Sequence, residues 1–229
     1  MEVIILAGGF GKRLQDRVNN LPKPMAPING RPFLDYLFDY LFKNNIEKVI
    51  LSVFYKFEQI KEYYKNSYKN ISISYSIDSE PLGTGGAIKA ALKKSSSENT
   101  LIINGDTYFN VDLECLYKYH SSKKNDITIA LKKMGNFDRY GTVETNKEGK
   151  VLTLKKRVYR KSGSIDGGIY LVKNDLFYEN DDKYFSFNDF IINNINKLKI
   201  GSLLFDEVFI DIGVPNDYDK ANKVLIDKL

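Results

Sequence analysis

The chain has 229 residues, 43% hydrophobic and 28% charged, the composition of an ordinary globular protein and a length suited to one α/β domain with a sizeable core or two small ones. Its formal charge of +5 is modest, and its lysines are scattered through Lys118–Lys133 and Lys147–Lys161 rather than gathered in one block, which argues for solvated surface and against a nucleic-acid partner. One cysteine and one histidine exclude an internal disulfide and a His-rich metal site, and no apolar run reaches the ~20 residues of a membrane span.

The first element is a buried strand, Glu2–Ala7, built on Val3-Ile4-Ile5. It begins at once, without a charged region and cleavage site, so a cytoplasmic location is expected. The strand ends in a glycine-rich turn, Gly8-Gly-Phe-Gly11, followed by Lys12 and Arg13 and then by Pro22-Lys-Pro24. Glycines let main-chain N–H groups approach anionic oxygens, and the planar fork of Arg13 suits bidentate phosphate contact. Lys23, between two prolines, is expected in a stiff, extended segment. Two better-known phosphate fingerprints fail: G-x-G-x-x-G from Gly9 would need glycine where Leu14 stands, and a P-loop ending at Gly11-Lys12 would need glycine at Leu6 and a hydroxyl at Arg13. A phosphate site of a third design is left.

The periodicity then predicts a helix over Phe33–Asn44, a strand over Lys48–Val53, a helix over Phe57–Lys65, a strand over Ile71–Ser76, a helix over Gly85–Lys94, a strand over Thr100–Asn104 and a helix over Leu113–Lys123. Strands alternating with helices imply a mostly parallel sheet covered on both faces, with ligands outside the carboxyl ends of its strands. From about Asp126 strands dominate: Ile127–Lys132, then Gly141–Thr145 and Val151–Lys155 around the turn Asn146–Gly149, then Ile165–Val172. A helix over Phe187–Leu198, a short strand Val208–Asp211 and a closing helix Pro215–Leu229 complete the chain. No repeat or linker interrupts it, so one domain over 1–229 is expected, residues from about 126 adding a lid to the half formed by about 1–125. Asp106 and Asp211 each follow an apolar strand, where a carboxylate can point into a cleft and bind magnesium beside a phosphate.

Leu6-Ala-Gly-Gly-Phe-Gly-Lys-Arg-Leu14 with Pro22-Lys-Pro-Met-Ala-Pro27 resembles the signature of the sugar-phosphate nucleotidyltransferases. Further matches are Glu80-Pro-Leu-Gly-Thr-Gly-Gly-Ala87, Asn104-Gly-Asp-Thr107, Gly167-Gly-Ile-Tyr170 and Asp211-Ile-Gly-Val-Pro215. The resemblance covers nearly the whole chain and departs at Lys12, where the family usually has threonine. It implies a single-domain Rossmann-like α/β fold with a nucleotide-binding half and a small sugar-binding lid. The implied partners are a nucleoside triphosphate and a sugar 1-phosphate, with Mg²⁺ as cofactor. An oxygen of the sugar phosphate would attack the α-phosphorus in line and release pyrophosphate. That nucleophile is already an anion and needs no general base, which leaves positioning and charge stabilisation to do the catalysis.

By the same resemblance, Arg13 and Lys23 are catalytic, Arg13 on the departing β,γ-phosphates and Lys23 near the α-phosphate. Nucleotide contacts fall to Leu6, Ala7, Gly8, Gly9, Gly11, Lys12, Arg13, Lys23, Glu80, Pro81, Gly83, Thr84 and Gly105, and the metal to Asp106 and Asp211. Sugar-phosphate contacts fall to Asp106, Gly141, Lys156, Arg157, Asp166 and Gly167; the alignment leaves Lys156 or Arg157 as the phosphate ligand. Asp166 replaces the family's usual asparagine, and an aspartate accepts from sugar hydroxyls but cannot donate.

Among short members of the family, the wording is most similar to guanylyltransferases that join GTP to D-glycero-D-manno-heptose 1-phosphate for bacterial surface glycans. Uridylyl-, thymidylyl- and cytidylyltransferases share most of these motifs, so base and sugar stay open here, as does a homo-oligomer. Two readings of other classes compete. A glycosyltransferase would call for an Asp-x-Asp motif at Asp106, where Tyr108 stands instead; a catalytically silent binding module should have lost one of Arg13, Lys23, Asp106 or Asp211, and all four are present.

Overall fold

The computed structural model of the protein describes residues 1–11, 18 and 20–225. Its first half runs β1 (Glu2–Leu6), a 3-10 turn (Lys23–Met25), β2 (Pro27–Ile28), β3 (Arg31–Pro32), α1 (Phe33–Lys43), β4 (Lys48–Val53), α2 (Phe57–Tyr64), β5 (Ser67–Tyr68), β6 (Ile71–Ile77), α3 (Gly83–Leu92), β7 (Asn99–Asn104), β8 (Thr107–Phe109) and α4 (Leu113–Lys123). The second half adds β9 (Ile127–Phe137), β10 (Val143–Thr145), β11 (Val151–Leu154), β12 (Arg160–Lys173), α5 (Phe187–Asn194), β13 (Ile200–Phe205), β14 (Phe209–Asp211) and α6 (Pro215–Val224).

Eight of these strands form one mixed sheet in the order β13-β9-β12-β7-β1-β4-β6-β5. The pairs β7–β1, β1–β4, β4–β6 and β9–β13 are parallel, while β12 runs against both its neighbours. Strands from both halves of the chain are thus continuous in one sheet. Val3, Ile4 and Ile5 are all fully buried because both faces of β1 are covered. Val3 and Ile5 join Leu34, Leu37 and Leu41 of α1 on one face; Ile4 joins Ile88 and Ala91 of α3 and Ile191 of α5 on the other. Among the described residues no helix is long and apolar enough to cross a membrane.

The architecture agrees with the sequence reading, with local differences. Strand β9 continues past Lys132 to Phe137, and β12 begins at Arg160 rather than Ile165. Their added parts pair as an antiparallel ribbon, Arg160 opposite Phe137 and Ser162 opposite Gly135, and this ribbon is polar, so no apolar run marks it. The helix expected to Leu198 stops at Asn194, although Ile195 and Leu198 still pack on the core from the turns that follow. Apolar period outlasts helical backbone there. The Asn146–Gly149 turn joins β10 to β11 as expected; the closing helix is described to Val224, and residues 226–229 lie outside the described residues.

Candidate active site

Because β1, β4, β6 and β7 are parallel, their carboxyl ends meet on one edge of the sheet. Short backbone bonds lock these ends together: Ala7 N–H donates to Ser52 O at 2.7 Å, Asp78 N–H to Val53 O at 3.0 Å, and Gly105 N–H to Leu6 O at 3.0 Å. A Cβ on Gly105 would lie 2.6 Å from Leu6 O, so only glycine permits this approach.

Two cavities open along the edge. The first, about 410 Å³, is lined by Leu6, Gly8 and Gly9 after β1, by Pro81, Gly83 and Thr84 at the start of α3, and by Lys23, Gly105 and Asp106. The second, about 700 Å³, is lined by Gly141, Lys156, Arg157, Asp166 and Asp211, and again by Asp106. Asp106 and the neighbouring Asn104 therefore belong to both, and a reaction between two bound molecules would occur where they stand.

Lys23 ion-pairs with Asp106 at that seam, its side chain only 13% exposed. The Pro22-Lys-Pro segment is not extended throughout as expected. Pro22 is extended, but Lys23–Met25 forms one 3-10 turn closed by Met25 N–H to Pro22 O at 2.8 Å. Proline's missing N–H costs nothing in a first turn. Gly11 abuts the Lys23 side chain, so the glycine segment and the lysine come together as the sequence suggests. Lys12 and Arg13 lie outside the described residues.

The second acid reaches the seam through a two-stranded ribbon. Strand β14 pairs antiparallel with β8, Asp211 opposite Thr107, and Ile212 N–H donates to Asp106 O at 3.0 Å. Asp211 Oδ1 accepts from Gly213 N–H at 2.7 Å, and its Oδ2 accepts from Tyr140 Oη at 3.0 Å and Arg139 Nη2 at 3.5 Å. Arg139 is in turn ion-paired with Asp217. Burial and the neighbouring charge of Asp106 both push the Asp211 carboxyl above its ordinary range, against the opposing pull of Lys23. Two hard carboxylate donors held side by side suit a divalent cation. Among the described residues no group of three His, Cys, Asp or Glu side chains could hold one, so a cation here would complete its shell with substrate oxygens and water.

In the second cavity, strand β12 carries a bulge: Asp166 faces Leu131 of β9, yet Tyr170, four residues on, faces Ile129. The extra length is taken up at Gly168, with φ +73°. The bulge brings Asp166 and Tyr170 to the same wall, where Tyr170 Oη donates to Asp166 Oδ2 at 2.5 Å and Gly168 N–H to Oδ1 at 2.9 Å. Burial raises the pKa of both side chains. Gly167 packs against Phe109 and does not line the cavity, whereas Gly168 does. Lys155 is paired with Glu144, while Lys156 and Arg157 have no ion-pair partner among the described residues.

Ala7 is buried and Glu80 is exposed, and neither lines either of the two cavities. The structure adds residues that sequence reasoning missed: Ser52, Phe54, Asp78 and Tyr184 in the first cavity, and Tyr140, Tyr170 and Asp189 in the second. A signal for three of these was present, since Ser52, Phe54 and Asp78 stand at or just after the ends of two strands on the ligand-binding edge.

The family model for nucleotidyl transferase matches residues 2–228. The chain is 51% identical over 227 residues to a D-glycero-alpha-D-manno-heptose 1-phosphate guanylyltransferase from Aneurinibacillus thermoaerophilus, covering 98% of both chains. It is 50% identical over 221 residues to the enzyme of that name from Campylobacter jejuni, covering 95% of this chain and 97% of the relative. Among solved structures, HddC from Yersinia pseudotuberculosis complexed with GMP-PN superimposes with a TM-score of 0.85 at 33% identity, over 97% of this chain and 98% of that one.

Proposed function

The chain belongs to the nucleotidyl transferase family, and from that premise we propose that it joins GTP to D-glycero-α-D-manno-heptose 1-phosphate, giving GDP-heptose and pyrophosphate. The identity of about half of all residues to two guanylyltransferases for this sugar carries the reading. We place the reaction in the cytoplasm, where nucleoside triphosphates are made, and its product in the supply of activated heptose for surface glycans.

Both cavities reach Asp106, which supports one substrate in each. GTP occupies the first, its base against Pro81–Thr84 and its phosphates along Gly8–Gly11. The sugar occupies the second, its hydroxyls toward the Asp166–Tyr170 pair and its phosphate toward Lys156 and Arg157. A phosphate oxygen attacks the α-phosphorus, a new P–O bond forms, and the bond to the β-phosphate oxygen breaks as pyrophosphate leaves. No proton is transferred. Asp106 and Asp211 would hold Mg²⁺, which when bound neutralises the charge that gathers on the phosphates. Lys23 adds fixed positive charge beside the reacting phosphorus, in a site whose donors are already aligned. We assign the neighbouring cations Arg13 and Lys12 to the triphosphate on the sequence pattern.

Incubation with each nucleoside triphosphate, Mg²⁺ and a panel of sugar 1-phosphates, reading pyrophosphate, tests this. Release with GTP and the heptose 1-phosphate is expected. Release only with CTP or UTP would remove the guanylyl assignment.

A further inference from the structure

Asp78 lines the first cavity at the end of β6, outside every motif the sequence singled out. Its backbone is pinned to Val53 O, but its carboxylate has no hydrogen-bond or ion-pair partner among the described residues. Burial alone raises its pKa, to about 6. An ionised carboxylate held partly out of water without a donor is costly, and a ligand that brought two donors would relieve that cost.

The bases differ in what they can bring. Guanine presents two adjacent donors, N1–H and the 2-amino group, at the spacing of two carboxylate oxygens, which accept only. Adenine has a lone pair at N1 and only C–H at C2, uracil and thymine have a single N–H flanked by carbonyls, and cytosine has an amino group next to an unprotonated ring nitrogen. We propose that Asp78 is the residue that selects guanine, accepting from N1–H and the 2-amino group. This rests on the placing of the nucleotide in the first cavity under the proposed function. The guanine O6 acceptor has donors on the same wall, since Gly83 and Thr84 open α3 with no side-chain cap on the helix.

The test is competition binding with Mg²⁺, displacing a GTP analogue that carries an N-methylanthraniloyl fluorophore on its ribose and so leaves the base free. ITP lacks the 2-amino group, and XTP carries a carbonyl there. Wild type should bind GTP about 10- to 100-fold more tightly than ITP, the range for a hydrogen bond to a charged group. Asp78→Asn offers one acceptor and one donor; it should lose about 10- to 100-fold in GTP binding and prefer XTP to GTP. Wild-type binding of GTP and ITP within about twofold, or a variant that keeps the GTP-over-XTP order, would overturn the assignment. Circular dichroism shows whether the variant is folded, and if it is not, the wild-type GTP-to-ITP ratio decides. Displacement by UTP or CTP in preference to GTP overturns the guanylyl reading and Asp78's role together. Tight, selective GTP binding without turnover on the heptose 1-phosphate overturns the sugar half of that reading and leaves Asp78 standing.

Discussion

Tyr140 donates its hydroxyl to Asp211 at 3.0 Å, on the carboxylate oxygen that also faces Arg139, so an acid assigned to the metal is aimed by a residue of a different chain segment. Tyr140→Phe removes that donor and leaves the ring, which packs edge-on to Phe209. Turnover should fall about 10-fold or more, with a higher Mg²⁺ concentration needed for half-maximal rate, because a hydrogen bond to a charged group contributes about 1.5–3 kcal/mol. Titration of pyrophosphate release against Mg²⁺ checks this; an unchanged half-saturation would show that Tyr140 does not orient Asp211.

Burial and Asp106 both raise the pKa of Asp211, so its surroundings disfavour the charged form. Asp211→Asn should therefore abolish turnover while keeping or raising thermal stability, by up to about 1 kcal/mol or ~2–4 °C for a chain of this size. Differential scanning calorimetry beside the pyrophosphate assay separates the two effects. A variant that is both inactive and strongly destabilised would mean that Asp211 serves the fold. Asp106→Ala and Lys23→Ala should likewise collapse turnover, and near-normal rates for Asp106→Ala with Mg²⁺ would contradict the mechanism.

The sheet was legible because buried strands and amphipathic helices leave period and composition on the chain. The seam was legible too: Asp106 and Asp211 follow apolar strands, and Lys23 sits in a conspicuous Pro-Lys-Pro. What escaped depends on pairing between distant segments. The three residues of β8 make no pattern alone and are a strand only because β14 lies beside them. Asp78 lies just past the strand expected over Ile71–Ser76, and only the neighbouring strand ends show that it faces a cavity. Gly167 and Gly168 stood in a matched motif, yet nothing local shows that one packs on Phe109 and the other carries a bulge.

That bulge gives a further prediction. Gly168→Ala would place a Cβ at positive φ, 2.8 Å from Asn104 Nδ2. The left-handed conformation costs about 1–2 kcal/mol outside glycine, and Asn104, which lines both cavities, must move as well. Stability should fall by about 2 kcal/mol or more in denaturant titration, and the KM for the sugar phosphate should rise more than that for GTP because the Asp166–Tyr170 pair shifts. Equal changes in both KM values would argue that the bulge does not shape the sugar site.

Acid sensitivity should show two separate windows. His120 is buried between Thr128 Oγ1 at 2.9 Å and Asn99 Oδ1 at 3.0 Å. Burial, helped by Lys173 and opposed by Asp126, lowers its pKa from 6.5 to about 4. The unfolded chain then binds a proton below about 6.5 that the native state refuses until about 4, so the contribution of His120 to stability falls with falling pH across that interval, by up to ~3 kcal/mol. Glu2 behaves differently. Burial raises its pKa, but donation from Ser95 Oγ and Ser96 N–H, each at 2.7 Å, outweighs that and holds it at about 2. Its stabilisation is complete above about 4.5 and is lost as pH falls toward 2. Urea titrations from pH 7 to pH 3 on wild type and His120→Gln check the assignment through their difference, in which acids such as Asp78, whose raised pKa of about 6 acts in the opposite sense over the same interval, cancel: the stability of the variant relative to wild type should rise as pH falls from about 6.5 to about 4 and level off below it. A difference that does not change with pH would place the upper window on other groups.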